Sequence, residues 1–400
     1  MKPIQWTKNM AEKTEDLNLP LLSYENAVKV RDFHQSFPQY KPTPLANLTE
    51  MASRLGIASL SVKDESYRFG LNAFKVLGGS YAIAKYISQK LGKDVSDVPY
   101  AVLTSDKLRE EFGQVTFFTA TDGNHGRGVA WAANKLGQKC VVYMPVGTTE
   151  TRLQHVLNEN ATATIETVNY DDCVRKAAKN ANEIPNGVIV QDTAWEGYEE
   201  IPTWIMQGYG TMALEADDQL HSLGITSPTH IFIQAGVGSL AGAVQGYFAS
   251  KYKGNEPTVV VVEADVAGCL FESGKAGEIR NVGGDMLTLM NGLACGEPST
   301  ISWDILRNHV HSFLLAPDWV CAKGMRLLAA PCKGDVPVTA GESGAVTMGV
   351  LHTIMTDPNY ATLKQSIGLD ENSRVLLFST EGDTDPNRYQ EIVWDGLNTL

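Results

Sequence analysis

Residues 72–82 read Asn-Ala-Phe-Lys-Val-Leu-Gly-Gly-Ser-Tyr-Ala, and a helical pattern continues from Tyr81. Lys75 therefore stands close to the start of a predicted helix. The positive end of the helix dipole disfavours a second positive charge, and it lowers the cost of the neutral amine. A neutral amine is the form of lysine that attacks carbonyl groups. The alternative is an exposed lysine beside a turn. Other segments of the chain are needed to distinguish a nucleophilic lysine from a surface lysine.

The bulk composition is that of a globular protein. The chain has 400 residues, of which 43% are hydrophobic and 20% are charged, and it is long enough for two or three domains. A formal net charge of −13 argues against nucleic acids and anionic membranes as partners, because both bind basic patches. The sequence shows no apolar signal segment and no run of membrane-spanning length. It therefore predicts a cytoplasmic protein.

The cysteine pattern predicts no metal site. Six cysteines occur, and none forms a Cys-x-x-Cys pair, so a structural zinc site is not expected. Reduced thiols are the default in the cytoplasm. Cys269 and Cys295 flank a glycine-rich segment, and the sequence leaves open whether they pair.

Short β-branched runs alternate with helical patterns along most of the chain. This alternation indicates an α/β fold with parallel sheets covered on both faces. The predicted strands are 116–120, 139–144, 164–168, 187–191, 230–234, 258–263 and 374–379. The predicted helices are 126–136, 149–158, 170–182, 203–223 and 239–251. We expect a large domain formed by 1–85 and 191–400 and a small α/β domain formed by 86–190.

A glycine-rich turn joins the strand 230–234 to the helix 239–251. It reads Gln-Ala-Gly-Val-Gly-Ser-Leu-Ala-Gly from Gln234 to Gly242. Glycines let backbone amides approach a ligand, and a helix N-terminus attracts a phosphate. The same spacing fits a dinucleotide fingerprint, with Glu263 about twenty residues further on as a ribose-binding acid. A nicotinamide-dependent oxidoreductase is therefore an alternative, as is a purely structural turn.

A second loop precedes the helix 126–136 and reads Thr-Ala-Thr-Asp-Gly-Asn-His-Gly from Thr119 to Gly126. It follows a predicted parallel strand, at the edge of the sheet where ligands bind in open α/β folds. Free amides at the helix start could hold a carboxylate, and Asn124 offers both a donor and an acceptor. Simple N-capping by Asp122 and packing by His125 are the alternatives.

Lys75, the Asn124 loop and the glycine turn, in this order, resemble the fold-type II pyridoxal-phosphate enzymes. A fourth segment matches as well, Phe-Ser-Thr-Glu-Gly-Asp at 378–383. The resemblance implies two domains, each with a mostly parallel sheet flanked by helices, and an active site between them. It also implies pyridoxal 5'-phosphate as the cofactor.

Within this group the chain is similar to the diaminopropionate ammonia-lyases. Segments that carry the similarity include 72–82, 119–131, 191–198, 201–209, 282–286, 292–298, 341–346 and 379–385. The similarity implies β-elimination from D- and L-2,3-diaminopropionate, giving pyruvate and two molecules of ammonia. It also implies a homodimer. A dehydratase of the same fold that acts on serine or threonine, and a non-catalytic amino-acid-binding protein, are the alternatives.

The chain departs from the wider group at two positions. Ala73 stands where the group usually has Ser or Thr, and Asp122 stands where the dehydratases have a small neutral residue. The resemblance implies that Asp122 takes the α-proton of the D-isomer and that Asp192 takes that of the L-isomer. A carboxylate that acts as this base is expected to have a pKa raised by burial.

The resemblance also implies the remaining site residues. Lys75 holds the cofactor, and Phe74 and Asn124 contact it. Either Ser379 or Thr380 faces the ring nitrogen. Backbone amides of the glycine turn bind the phosphate, and the residues concerned are Gly236, Val237, Gly238, Ser239 and Leu240. Residues expected around the substrate are Thr121, Gly123, His125 and Tyr170.

Overall fold

The computed structural model describes residues 2–121 and 123–398. Its strands are β1 (Gln5–Lys8), β2 (Leu45–Asn47), β3 (Ser59–Asp64), β4 (Thr116–Ala120), β5 (Lys139–Met144), β6 (Thr162–Ile165), β7 (Gly187–Ile189), β8 (His230–Gln234), β9 (Thr258–Ala264), β10 (Ser312–Ala316) and β11 (Arg374–Ser379). Short 3-10 helices cover Leu19–Leu22, Glu65–Gly70, Val95–Asp97, Asn291–Leu293 and Pro358–Tyr360.

The α-helices follow the strands in the order expected for an α/β fold. They are α1 (Tyr24–Gln35), α2 (Thr49–Leu55), α3 (Val76–Lys90), α4 (Tyr100–Leu103), α5 (Asp106–Phe112), α6 (Asn124–Lys135), α7 (Glu150–Leu157), α8 (Tyr170–Glu183), α9 (Glu200–Ser222), α10 (Ser239–Lys251), α11 (Cys269–Ala276), α12 (Thr300–His309), α13 (Asp318–Ala329), α14 (Glu342–Thr356), α15 (Ala361–Ile367) and α16 (Pro386–Val393).

Two separate sheets carry the fold. The larger is seven-stranded in the order β1-β10-β9-β8-β11-β3-β2, and the smaller is four-stranded in the order β6-β5-β4-β7. The smaller sheet is parallel throughout, and the larger is parallel except that β1 and β2 pair antiparallel at its two edges. The prediction of an α/β fold with mostly parallel sheets is confirmed.

The larger sheet is buried on both faces, as its continuous apolar strands predict. Along β8, Ile231 and Ile233 face a core that also holds α9 and α10, while Phe232 faces a core that holds α13 and α14. Side chains of a strand alternate between the two faces, so a single strand serves both cores. Within the described residues, no helix is long and apolar enough to cross a bilayer.

Several element boundaries differ from the sequence-based prediction. The helix behind Lys75 begins at Val76, five residues before the predicted start, and the strand predicted at 164–168 lies at Thr162–Ile165. The predicted boundary at residue 85 falls inside α3, whereas the smaller sheet lies entirely within 116–189. The division into a domain of 86–190 and a domain of the flanking segments stays a prediction.

The sequence-based prediction also missed β1, β2 and β10, and it missed β3, which lies between β11 and β2 in the larger sheet. Its residue Lys63 reads as an exposed position, yet the side chain is fully buried. The ammonium group of Lys63 donates to Glu215 at 2.7 Å, and Arg68 donates to the same carboxylate at 2.7 Å. Burial of such charges is tolerated only because each is paired, and the pairing is invisible in the local sequence.

Close helix packing fixes the position of Lys75. The helix that it precedes, α3, contacts α6 and α9, and glycines bring the backbones together. A Cβ on Gly79 would lie 3.2 Å from the backbone of Gly128, and a Cβ on Gly208 would lie 2.4 Å from the carbonyl oxygen of Leu77. His34 contacts the same Leu77 carbonyl through its Nε2, at 3.0 Å. The first turn of α3 is thus held from several sides.

Gly208→Ala tests this packing. The added Cβ would collide with a backbone carbonyl that cannot rotate away, so we expect a loss of about 1–3 kcal/mol in the free energy of unfolding. Denaturant unfolding measures this loss. Gly283→Ala is the matched control, because nothing lies within 4 Å of a Cβ at that glycine. Equal stability of the two variants would contradict the close contact between α3 and α9.

Candidate active site

One cavity gathers most of the predicted site residues. It encloses about 720 Å³, a volume that includes the open space at its mouth. It lies where β8 and β11 of the larger sheet and β4 of the smaller sheet end. The predicted residues that line it are Phe74, Lys75, Thr121, Asn124, His125, Tyr170, Asp192, Gly236, Val237, Gly238, Ser239, Leu240 and Thr380.

Two of the predicted residues that the structure describes, Gly123 and Ser379, do not line this cavity. Gly123 is buried, donates its backbone N–H to the Thr121 hydroxyl at 2.9 Å and packs beside Arg152. Ser379 is buried, and its hydroxyl donates to the carbonyl oxygen of Glu381 at 3.3 Å. Asp122 lies outside the described residues.

Lys75 and Asp192 meet across the cavity. Lys75 is the N-cap residue of α3, and its ammonium group donates to Oδ2 of Asp192. Asp192 is buried, while the Lys75 side chain keeps 20% of its area exposed toward the cavity. The backbone of the preceding residue, Phe74, donates to the carbonyl oxygen of Thr380 at 3.1 Å. The lysine segment is therefore fastened to the end of β11.

Asp192 is surrounded by donors and by positive charge. Tyr170 donates to its Oδ1 at 3.1 Å, and Nδ1 of His125 lies 3.8 Å from its Oδ2. Burial raises the pKa of Asp192, but His125 and Lys75 oppose burial and hold the pKa well below its usual range. The expectation of a raised pKa is therefore wrong for this arrangement, because it considered burial without the neighbouring cations.

His125 is oriented by its second ring nitrogen. Its Nε2 lies 2.9 Å from the carbonyl oxygen of Val190, which can only accept, so Nε2 carries a proton. Nδ1 is then the atom that faces Asp192. The ring is almost completely buried, at 1% exposure, and it lies in the first turn of α6, which begins at Asn124 rather than at the predicted residue 126.

The glycine turn provides a cradle of backbone groups. Gly238 has φ of +101°, a conformation that L side chains rarely adopt, and it is the N-cap residue of α10. A Cβ on Gly236 would lie 2.9 Å from Sγ of Cys295. Ser239 ties the turn to the opposite wall, because its hydroxyl donates to the carbonyl oxygen of Asp192. The first N–H groups of a helix have no acceptor within the helix, and Ser239 and Leu240 at the start of α10 line the cavity, so an anion there could accept from them.

The end of β11 presents one hydroxyl to the cavity. Gln234 donates through Nε2 to Oγ1 of Thr380 at 2.7 Å, which leaves the Thr380 proton free to turn toward a ligand. Ser379 points the other way. Between the two candidates that the sequence left open, the geometry favours Thr380 as the residue that faces a ligand.

The structure adds site residues that the sequence analysis did not identify. Glu381 accepts from Asn124 Nδ2, and Tyr209, Gln234 and Ser343 also line the cavity. Glu381 could have been found from its place in the matching segment 378–383. Tyr209 could likewise have been found from its place in the matching segment 201–209, but only the packing of α9 shows that it reaches the cavity.

Glu263 does not fit the nicotinamide alternative. Its two carboxylate oxygens accept from the backbone N–H groups of Leu270 at 2.8 Å and of Phe271 at 2.6 Å. The side chain is fully buried and caps α11, and it is absent from the lining of the cavity. It is therefore not placed to accept a ribose hydroxyl.

The chain has the groups that pyridoxal phosphate needs. In the described part of the chain, the buried atoms Tyr209 OH, Gln234 Oε1 and Ser343 Oγ have no hydrogen-bond partner, and all three residues line the cavity. A buried polar group without a partner costs free energy, so these atoms favour a polar ligand. The amine of Lys75, the glycine turn and the hydroxyl of Thr380 line the same cavity. They match, in that order, the aldehyde, the phosphate and the ring nitrogen of the cofactor.

Residues 37–359 match the family described as pyridoxal-phosphate dependent enzyme. The chain belongs to the pyridoxal-phosphate dependent enzymes. Its two-sheet fold is that of fold type II within this family, and the nicotinamide alternative is not supported.

Within this family, the chain is similar over nearly its whole length to diaminopropionate ammonia-lyases. A diaminopropionate ammonia-lyase of Salmonella typhimurium is 50% identical over 381 residues, which is 94% of each chain. The crystal structure of Escherichia coli diaminopropionate ammonia lyase in complex with D-serine has a TM-score of 0.92 and 44% identity, and covers 99% of this chain and 98% of its own. The same enzyme in complex with an aminoacrylate-PLP azomethine reaction intermediate has a TM-score of 0.90, 43% identity and the same coverage.

The two cysteines whose pairing the sequence left open lie beside the glycine turn. Sγ of Cys269 is 3.8 Å from the carbonyl oxygen of Gly236, and Cys295 lines the cavity. Burial, followed by the proximity of Glu263, holds the pKa of the Cys269 thiol well above its usual range. Both residues are thiols in this structure.

Gly238→Ala tests the role of the turn. The strained backbone should cost about 1–2 kcal/mol in the free energy of unfolding, and the added methyl group should displace the amides that bind the phosphate. We expect weaker binding of pyridoxal phosphate, measured by fluorescence titration. Gly254→Ala is the matched control, because Gly254 also has a positive φ, +84°, and a Cβ there meets nothing within 4 Å. Equal cofactor affinity in both variants would contradict a role of the turn.

Proposed function

We propose that this chain catalyses the β-elimination of 2,3-diaminopropionate to pyruvate and two molecules of ammonia, with pyridoxal phosphate as its cofactor. The observation that carries the proposal is the contact between Lys75 and the buried Asp192 inside the cavity that ends at the glycine turn. The relatives that are about half identical over nearly the whole chain support this substrate.

In this proposal, residues on each side of the cavity bind a different part of the cofactor. The amine of Lys75 binds the aldehyde, the amides from Gly236 to Leu240 bind the phosphate, and Asn124 and Thr380 bind the ring. Phe74 contributes an apolar contact, packed against the Tyr209 ring at 4.7 Å between centroids. When bound, the cofactor withdraws electrons from the bonds at the α-carbon of an amino acid. The protein then has to place the groups that move protons.

Asp192 is the proposed proton acceptor for the L-isomer. Its pKa is depressed while Lys75 carries a positive charge beside it, and loss of that charge removes one of the two opposing cations. Burial then acts with less opposition, so the pKa of Asp192 rises and the carboxylate becomes a better base. Tyr170 and His125 hold the carboxylate in position during this change. Asp122 is the proposed acceptor for the D-isomer.

The same carboxylates distinguish this reaction from the dehydration of serine. Diaminopropionate carries a second ammonium group on its β-carbon, and a nearby carboxylate offers it an opposite charge. A dehydratase acts on a neutral hydroxyl and needs no such partner. A β-ammonium group leaves directly as ammonia, whereas a neutral β-amine requires a proton, and Lys75, once released and in its ammonium form, is the proposed donor of that proton. Thr121, Gly123, His125 and Tyr170 are the proposed surroundings of the substrate.

The hydroxyl of Thr380 suits elimination. A hydroxyl cannot hold a proton on the ring nitrogen as a carboxylate would, and the electron demand of the cofactor is therefore restrained. This restraint favours elimination over racemisation. Ser379, which bonds to a backbone carbonyl instead, would support the strand end.

A homodimer is a further part of the proposal, and it rests on the resemblance to the ammonia-lyases. The cytoplasmic location inferred from the sequence stays a prediction.

Reduction with borohydride tests the cofactor assignment directly. We expect the purified protein to be yellow, to change colour with diaminopropionate, and to carry a pyridoxyl group on the Lys75 peptide after reduction, as read by mass spectrometry. Lys75→Ala should lose the adduct and its turnover, while Lys85→Ala should keep both. A reduced wild-type chain without the adduct on this peptide would refute the proposal.

The two-base assignment predicts opposite losses with the two enantiomers. Asp192→Asn should lower kcat for L-diaminopropionate by about 10²–10⁴-fold and affect the D-isomer far less, because only one proton acceptor is removed. Asp122→Asn should show the reverse preference. Steady-state assays of ammonia release with each isomer measure this. Equal losses with both isomers in either variant would contradict separate bases while leaving the cofactor assignment intact.

A further inference from the structure

Asn124 reaches the cavity with one of its two N–H bonds already in use. Its Nδ2 donates to Oε2 of Glu381. An ionised carboxylate can only accept, so this contact fixes which end of the Asn124 amide carries the hydrogens. The amide otherwise presents nitrogen or oxygen with nearly the same shape. The second N–H of Asn124 is then available to an acceptor in the cavity.

Glu381 is itself held in a single position. Its Oε1 accepts from the backbone N–H of Ser343 at 3.0 Å, in the first turn of α14. The backbone N–H of Gly341 donates to the carbonyl oxygen of Glu381 at 2.9 Å, and Ala73 forms an isolated bridge with it. The side chain is 3% exposed. It is therefore fixed by α14, by the end of β11 and by the segment that precedes Lys75.

The start of α14 favours the charged form of this carboxylate. The helix begins at Glu342 after Gly341, which offers no side-chain cap, so its first N–H groups need an acceptor. A carboxylate at a helix N-terminus is stabilised by the helix dipole as well as by the hydrogen bond. A contact between an amide and an ionised acceptor is also stronger than one between neutral groups.

We propose that Glu381 is a positioning residue, which holds the Asn124 amide so that its second N–H is available to the ring hydroxyl of the cofactor. This inference rests on the proposed function, because it assumes that pyridoxal phosphate occupies the cavity. Glu381 acts through Asn124. Its effect on the cofactor therefore requires the asparagine.

A double-mutant cycle tests this dependence. Glu381→Gln keeps the shape of the side chain but removes the charge, and one carbonyl oxygen cannot serve both Asn124 and Ser343. We expect the dissociation constant of pyridoxal phosphate to rise about five- to tenfold, which is the effect of weakening one charge-assisted hydrogen bond. The constant is measured by retitrating the holoenzyme after removal of its cofactor. Glu371→Gln, in an exposed loop, removes the same charge and should change it less than about twofold.

In the Asn124→Ala background, Glu381→Gln should have no further effect on the dissociation constant, because the residue through which it acts is gone. The absorption spectrum of the bound cofactor should shift in the same direction in Asn124→Ala and in Glu381→Gln. Glu381→Asp provides a second variant that keeps the charge at the start of α14 but withdraws the carboxylate from Asn124. It should fold as the wild type does and bind the cofactor as weakly as Glu381→Gln.

Two results would overturn the assignment alone: Glu381→Gln binding the cofactor as well as Glu371→Gln, or Glu381→Gln weakening binding by the same factor with and without Asn124. A wild-type chain that binds no pyridoxal phosphate would overturn the proposed function and, with it, this assignment. The outcomes are distinguishable because the wild-type titration is read first.

Discussion

The contact between Lys75 and Asp192 is the interaction on which the site depends, because it joins groups from distant parts of the chain. Lys75 begins α3, whose first turn is pressed between α6 and α9, while Asp192 follows the last strand of the smaller sheet. Each of these charges stabilises the other at this depth, since an isolated buried charge is costly. Their meeting also brings the carboxyl edges of the two sheets to one cavity.

The electrostatics of the site follow from this meeting. A carboxylate that must accept a proton needs a pKa above its resting value, whereas the resting site holds the pKa of Asp192 down with His125 and Lys75. The resting site and the site in which Asp192 accepts a proton differ by the charge of Lys75. In the proposed reaction, Asp192 becomes a stronger base only when Lys75 has lost its charge, so it is held inactive until it is needed.

Two helix starts that lack a side-chain cap form the opposite wall of the cavity. Gly238 starts α10 and Gly341 starts α14, and neither offers a side chain to cap its helix. At α14 the need is met by Glu381, whereas at α10 the turn opens to the cavity. The unpartnered atoms of Tyr209, Gln234 and Ser343 add to this wall. These polar groups lower the stability of the chain without a ligand, and a polar ligand that forms hydrogen bonds with them recovers that free energy.

The sequence by itself determined the parallel α/β fold, because short apolar strand patterns alternate along the chain with segments of helical periodicity. It also determined the lysine segment, the Asn124 loop and the glycine turn, since each is a local pattern. The tertiary structure alone decided that Glu263 caps a helix and that Thr380 rather than Ser379 faces the cavity. It also showed that Tyr209 and Glu381, which lie in segments that the sequence had marked, reach the site. It also decided the burial of Lys63 in β3 and the depressed pKa of Asp192. These features depend on contacts between charged groups and backbone groups that are far apart in the chain. Hydrophobic periodicity is a local pattern and carries no information about such contacts.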